Sequence, residues 1–179
     1  MAIIYNAEEI FQMGVEIEKN GLAFYTAAAK SVKNAEVRKL CEELGQWEGK
    51  HVALFEALKA KLPEAARQET SYDPNNELGM YLKAAADSHI FVANKEISAL
   101  LANAKSPLDI LHMALSFEKD SVVLYTTMKN MVPEHLGKKD LEKIIDEEIM
   151  HISFITRKIG TIPKWPHTNP GYCRCCRLA

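Results

Sequence analysis

Apolar residues recur along this chain at spacings of three and four almost from end to end, and the β-branched alternation that announces strands is missing. The pattern predicts an all-α protein. Asn6 can cap a first helix whose opening turn carries Glu8 and Glu9 and which runs to about Lys30, near a break at Ser31 to Asn34. A second helix is expected from about Ala35 to Lys61, ended by Pro63. Lys61 to Asn76 is polar, holds two prolines and reads as a connecting loop. Helical periodicity returns from Glu77 to Ala104, in one piece or two. Ser106-Pro107 is then a start signal, with serine as N-cap, proline at the first helical position and Asp109 in the first turn. That helix reaches about Met131. Pro133 to Gly137 forms the next break, and a last helix from about Lys138 to Ile159 stops before Gly160 and Pro163.

Sliding the chain against itself by one hundred positions exposes a repeat. Ile10 meets Ile110, Met13 meets Met113, Glu18 meets Glu118, Lys19 meets Lys119, Tyr25 meets Tyr125 and Thr26 meets Thr126. Further on, Lys39 meets Lys139, Glu42 meets Glu142, Glu48 meets Glu148 and His51 meets His151, all without a gap. The helices therefore form two related hairpins, joined by the connection from Lys61 to Lys105.

The hairpin geometry brings particular residues level. Glu18 lies about fifteen residues before the first turn and Glu48 about fifteen after it, so each stands ~22 Å from the turn at the α-helical rise. The same holds for Glu118 and Glu148. Within each second helix, Glu48 and His51, or Glu148 and His151, lie three residues apart on one face. Each acid is embedded in apolar positions: Phe11, Val15, Leu22 and Tyr25 around Glu18; Leu111, Leu115, Val122 and Tyr125 around Glu118; Cys41, Leu44, Val52 and Phe55 around Glu48; Leu141, Ile144, Ile152 and Ile155 around Glu148. Four inward carboxylates, unpaired, would cost more than the ~5–15 kcal/mol that keeps a domain folded. Two divalent cations would cancel their charge, with the two histidines as neutral nitrogen ligands. A glutamate from each of two helices plus Glu-x-x-His from each of the other two is a ligand set for di-iron and di-manganese bundles. Mixed oxygen and nitrogen donors suit iron first and manganese second, ahead of tetrahedral zinc.

At these residues the chain resembles the rubrerythrin branch of the ferritin-like superfamily, over nearly everything from Asn6 to Ile159. The matches are Glu18-x-x-Gly21-x-x-Phe24-Tyr25, Glu48-x-x-His51, Glu118 with Tyr125, and Glu148-x-x-His151. The resemblance implies a ferritin-like four-helix bundle with a helical crossover, holding two iron ions, or manganese or a mixed pair. In it Glu48 and Glu148 would bridge the ions, Glu18 and Glu118 would be terminal ligands, and each histidine would bind one ion. Tyr25 and Tyr125 would donate hydrogen bonds to the ligands or act as redox-active neighbours; core aromatics with satisfied hydroxyls are the plainer reading. The implied activity is reduction of hydrogen peroxide or dioxygen by a homo-dimer or higher homo-oligomer. Two features depart from the branch. Ser121 stands where a further glutamate usually follows the third-helix ligand, and two Cys-x-x-Cys knuckles are replaced by Cys173, Cys175 and Cys176, so electrons would come from a separate donor protein.

Size and charge narrow the alternatives. At 179 residues the chain is expected to form one domain over residues 1–162, followed by a flexible cysteine-containing tail over 163–179. A net charge of −2 without blocks of like charge makes nucleic acid a poor partner. No apolar run is long enough for a membrane span, and no disulfide framework is readable, which points to a cytoplasmic, reducing location. Cys41 reads as a small buried thiol, while His89, His112, His135 and His167 have no partners at ligand spacing. Met13, Met80, Met113, Met128, Met131 and Met150 fall at packing positions. Two other functions stay open: a ferroxidase that stores or buffers iron, and a metal-free bundle with a structural or partner-binding role.

Overall fold

The computed structural model describes residues 6–68, 75, 80 and 94–163. Helix α1 spans Ala7–Ser31, α2 Ala35–Ala60, α3 Glu64–Gln68, α4 Asn94–Asn103, α5 Pro107–Met131 and α6 Lys138–Thr161, with a 3₁₀ turn at Glu134–Leu136. The described residues are all-helical. The expected hairpins are α1 with α2 and α5 with α6, which pair extensively, while α1 also touches α5 and α2 touches α6 to close a four-helix bundle. Short α4, from the connection between the hairpins, lies against α1.

Capping explains where the helices begin. Asn6 accepts the Glu9 amide at 2.9 Å and Glu9 returns a carboxylate to the Asn6 amide at 2.9 Å, a reciprocal box that satisfies two otherwise orphaned donors. Ser106 and Asp109 repeat the device at α5. Asn34 caps α2 by accepting the Glu36 and Val37 amides. Gly137, with φ of 108°, adopts the left-handed conformation that glycine takes without steric cost and turns the chain into α6. A Cβ there would also stand 2.8 Å from Leu58.

Two element boundaries and the packing of two methionines differ from the sequence reading. The last helix continues through Gly160 to Thr161, because one glycine costs only ~1 kcal/mol in a helix and the final turn is still bonded, Ile162 N–H donating to Lys158 O. Pro163 then holds Ile162 extended. The segment assigned to a loop after Lys61 contains α3, started by Pro63, whose carbonyl accepts the Ala66 amide; Ala66 is buried. Of the methionines expected to pack, Met128 is buried, but Met80 and Met150 are exposed. Most of 77–93, with His89, lies outside the described residues, as do His167, Cys173, Cys175 and Cys176.

The core falls into two apolar clusters, one at each end of the bundle. One gathers Phe11, Val15 and Ile17 of α1 with Phe55 of α2, Leu124, Tyr125 and Met128 of α5, and Leu141 and Ile144 of α6. The other gathers Phe24 and Tyr25 with Leu40, Cys41, Leu44, Leu111, Ala114 and Ile155, and α4 adds Ile97. On each long helix the stretch between its two contributions carries an acid: Glu18, Glu48, Glu118 or Glu148. Burial of each large apolar side chain is worth ~1.5–3 kcal/mol, so the ends of the bundle stabilise a polar layer that could not hold itself together.

Candidate metal centre

That layer contains the buried polar and charged side chains of the described residues: Glu18, Glu48, His51, Glu118, Glu148 and His151, none more than 5% exposed. The structure thus brings together all six candidate ligands from four different helices. Their donor atoms form two quartets, Glu18–Glu48–His51–Glu148 and Glu48–Glu118–Glu148–His151, each with all its donors within 4.8 Å of one another. Glu48 and Glu148 belong to both. Donors on a cation with bonds of ~2.1 Å stand ~3 Å apart when adjacent and ~4.2 Å apart when opposite, so each quartet has the dimensions of a coordination shell.

The histidines enter symmetrically. His51 Nδ1 lies 3.1 Å from Glu148 Oε1 and 3.4 Å from Glu18 Oε2. His151 Nδ1 lies 3.1 Å from Glu148 Oε2 and 3.4 Å from Glu118 Oε2. The rings stack with centroids 5.7 Å apart. His51 Nδ1 is buried near two carboxylates yet aligned for a hydrogen bond with neither, as a ligand nitrogen aimed at an ion between them would be.

Tyr25 and Tyr125 sit directly against the layer. Tyr125 donates its hydroxyl to Glu18 Oε1 at 2.5 Å, and Tyr25 donates to Glu118 Oε1. Each tyrosine serves the glutamate of the other hairpin rather than the one on its own helix. Burial, reinforced by Glu118 for Tyr25 and by Glu18 for Tyr125, raises both phenols well above the usual value, so they remain donors.

The electrostatics show what the layer lacks. Burial raises the Glu48 carboxyl far above the ordinary range, and Glu18, Glu118 and Glu148 raise it further. Burial and the nearby Glu148 lift Glu118 to about 8. Burial raises Glu148 too, but hydrogen bonding from Glu118 and His151 and the nearby His51 imidazole outweigh it and hold this acid well below the usual range. Burial lowers both imidazoles, and their carboxylate neighbours reverse this, to about 11 for His51 and about 9 for His151. Two imidazoles cannot balance four acids, and Glu48 has carboxylates for neighbours where a cation belongs.

A small cavity reaches the layer beside Glu48 and Glu118. It is walled by Ile17, Phe24, Phe117 and Ile97, with Gly21 and Ser121 at repeat-related positions. Gly21 makes room for a ligand: a Cβ there would stand 2.8 Å from Glu48 Oε2. One participant was missed by the sequence reading. Glu147 Oε2 lies 2.7 Å from His51 Nε2. Its only signal was adjacency to Glu148, which many surface acids on a helix would share.

No protein-family model matches the chain, and no curated protein matches it. A solved structure from Thermotoga maritima, provisionally described as a ferritin-like diiron-carboxylate protein, superposes with a TM-score of 0.67 at 22% sequence identity, covering 88% of this chain and 97% of that one. The fold is ferritin-like. In this ferritin-like bundle the long helices carry the whole candidate site, and none of the described helices is long and apolar enough to cross a membrane.

Proposed function

We propose that the chain is a non-haem di-iron oxidoreductase, related in chemistry to the rubrerythrins, that reduces hydrogen peroxide or dioxygen. The observation that carries this reading is the pair of overlapping quartets sharing Glu48 and Glu148 in a layer without enough positive charge of its own. Glu48 and Glu148 would bridge two ions; Glu18 with His51, and Glu118 with His151, would complete the two shells. Carboxylate-rich donors with one imidazole per ion favour iron, with manganese as the second choice. The likeness to a provisionally assigned diiron-carboxylate protein supports the same reading.

When bound, two ferrous ions supply one electron each, enough to reduce the O–O bond of hydrogen peroxide to two waters with two protons. The remaining work belongs to the chain. Tyr25 and Tyr125 hold Glu118 and Glu18 in place from opposite hairpins. Phe24, Phe117, Ile17 and Ile97 wall a largely apolar cavity against Glu48 and Glu118, through which a small oxidant would reach the carboxylates. Re-reduction is assigned to a separate electron-donor protein.

Protein purified without oxygen and loaded with ferrous ion is expected to hold two irons per chain, and one equivalent of peroxide should oxidise both within the mixing time. Protein that takes up no metal sinks the metal reading. Iron-loaded protein inert to both peroxide and dioxygen sinks the reaction.

A further inference from the structure

The two halves of the candidate centre match almost atom for atom. Each histidine presents Nδ1 at 3.1 Å and 3.4 Å from two carboxylates, and each terminal glutamate accepts a tyrosine hydroxyl from the opposite hairpin. The match fails behind the imidazoles. His51 Nε2 meets the Glu147 carboxylate at 2.7 Å, so with Nδ1 turned inward the Nε2–H donates to an anion. The repeat places Trp47 where the second hairpin has Glu147. Trp47 lies against His151, with ring centroids 6.0 Å apart, and is itself covered by Lys50, whose Nζ stands 3.8 Å over the indole. His151 Nε2 is buried and has no hydrogen-bond partner among the described residues.

A carboxylate behind a ligand histidine fixes its tautomer, orients the ring and makes the ligating nitrogen more basic; its removal typically costs 10–100-fold in metal affinity. One position of the centre has this support and the other has an indole in its place. We propose that Glu147 is a positioning residue that makes the two metal positions unequal, so that the Glu18–His51 position fills first and holds its ion more tightly than the Glu118–His151 position. The inference rests on the di-metal reading and adds to it an order of loading. It also assigns Trp47 as the residue that keeps the second position weak.

Cobalt(II) titration of the full, metal-free chain, followed by visible absorption and calorimetry, tests this. Two dications a few ångströms apart repel each other, so two binding steps alone would arise in a symmetric centre too. The discriminating measurement is how each step responds to substitution. Glu147→Gln keeps the size and an acceptor oxygen but removes the charge; it is expected to weaken the first step about 10–100-fold and leave the second within about threefold. Glu147→Asp should recover part of that loss. Trp47→Glu gives His151 the missing anion and is expected to tighten the second step while sparing the first. The inference is overturned if Glu147→Gln leaves both steps unchanged or weakens both equally in protein of native helical content. A wild-type chain that binds no cobalt overturns the di-metal reading itself, and this inference with it; a chain that binds two ions with steps indifferent to Glu147 overturns the inference alone.

Discussion

A buried carboxylate ringed by carboxylates has two ways to exist, with a proton or with a metal ion. Glu48 is held far above the ordinary range by burial and by three neighbouring acids, Glu118 stands at about 8, and His51 and His151 stand at about 11 and about 9. In the metal-free protein at pH 7 these groups therefore carry protons where cations would sit. The sign of the pH dependence follows: protons compete with metal below these values, so loading must expel them and affinity must rise with pH. Calorimetry of metal uptake at pH 7 in two buffers of different ionisation enthalpy should show net proton release, and apparent affinity should climb from pH 6 to 8. A heat independent of buffer would contradict it. The tyrosines allow a second test at the same scale. Tyr125→Phe deletes the hydroxyl that Glu18 Oε1 accepts at 2.5 Å inside the core, where both residues are buried. Urea unfolding of the metal-free protein should show a loss of about 1–3 kcal/mol.

The helices themselves test how tightly the bundle is drawn together, through their glycines. At Gly14 a Cβ would stand 2.5 Å from the ring of Phe55, a residue of the apolar cluster with no exposed surface. Gly14→Ala should therefore destabilise by about 1–3 kcal/mol, overriding the ~1 kcal/mol that alanine gains in a helix. Gly21 is the contrasting case, because the atom in the way is the end of the flexible Glu48 side chain. Gly21→Ala should leave the melting temperature close to that of the parent while metal affinity falls about tenfold, the scale on which a ligand responds to losing its support. The four acids and two histidines could be read from one chain because the repeat aligned them and the hairpin arithmetic made them level. Tyr25 and Tyr125 were visible as neighbours, but a repeat says which residues are alike and not which cross to the other hairpin, so the swapped pairing with Glu118 and Glu18 was hidden. Glu147 and Trp47 were hidden for a related reason: their roles depend on what faces His51 and His151 from another helix.

At the scale of the molecule, stability and site are opposed. Two apolar clusters hold the ends of the bundle, and the layer between them collects four acids that would be better solvated elsewhere. A ligand that binds only the folded state adds RT ln(1 + [L]/Kd), ~4 kcal/mol when the free ion exceeds its dissociation constant a thousandfold. Metal loading should therefore raise the melting temperature, and the size of the rise depends on the acids that burden the metal-free fold. Glu48 isolates the trade-off, since burial and its acidic neighbours already drive it to the neutral form and glutamine has nearly the same shape. Without metal, Glu48→Gln should be as stable as the parent or more so, because the possibility of a buried charge has been removed. With saturating ferrous ion the order should invert, because glutamine supplies no negative charge to bridge two cations. Thermal unfolding of both proteins, each with and without metal and without oxygen, checks for this crossover. If the variant gains as much stability from metal as the parent does, Glu48 does not lie between the ions, and the shared corner of the two quartets is not where the charge is balanced.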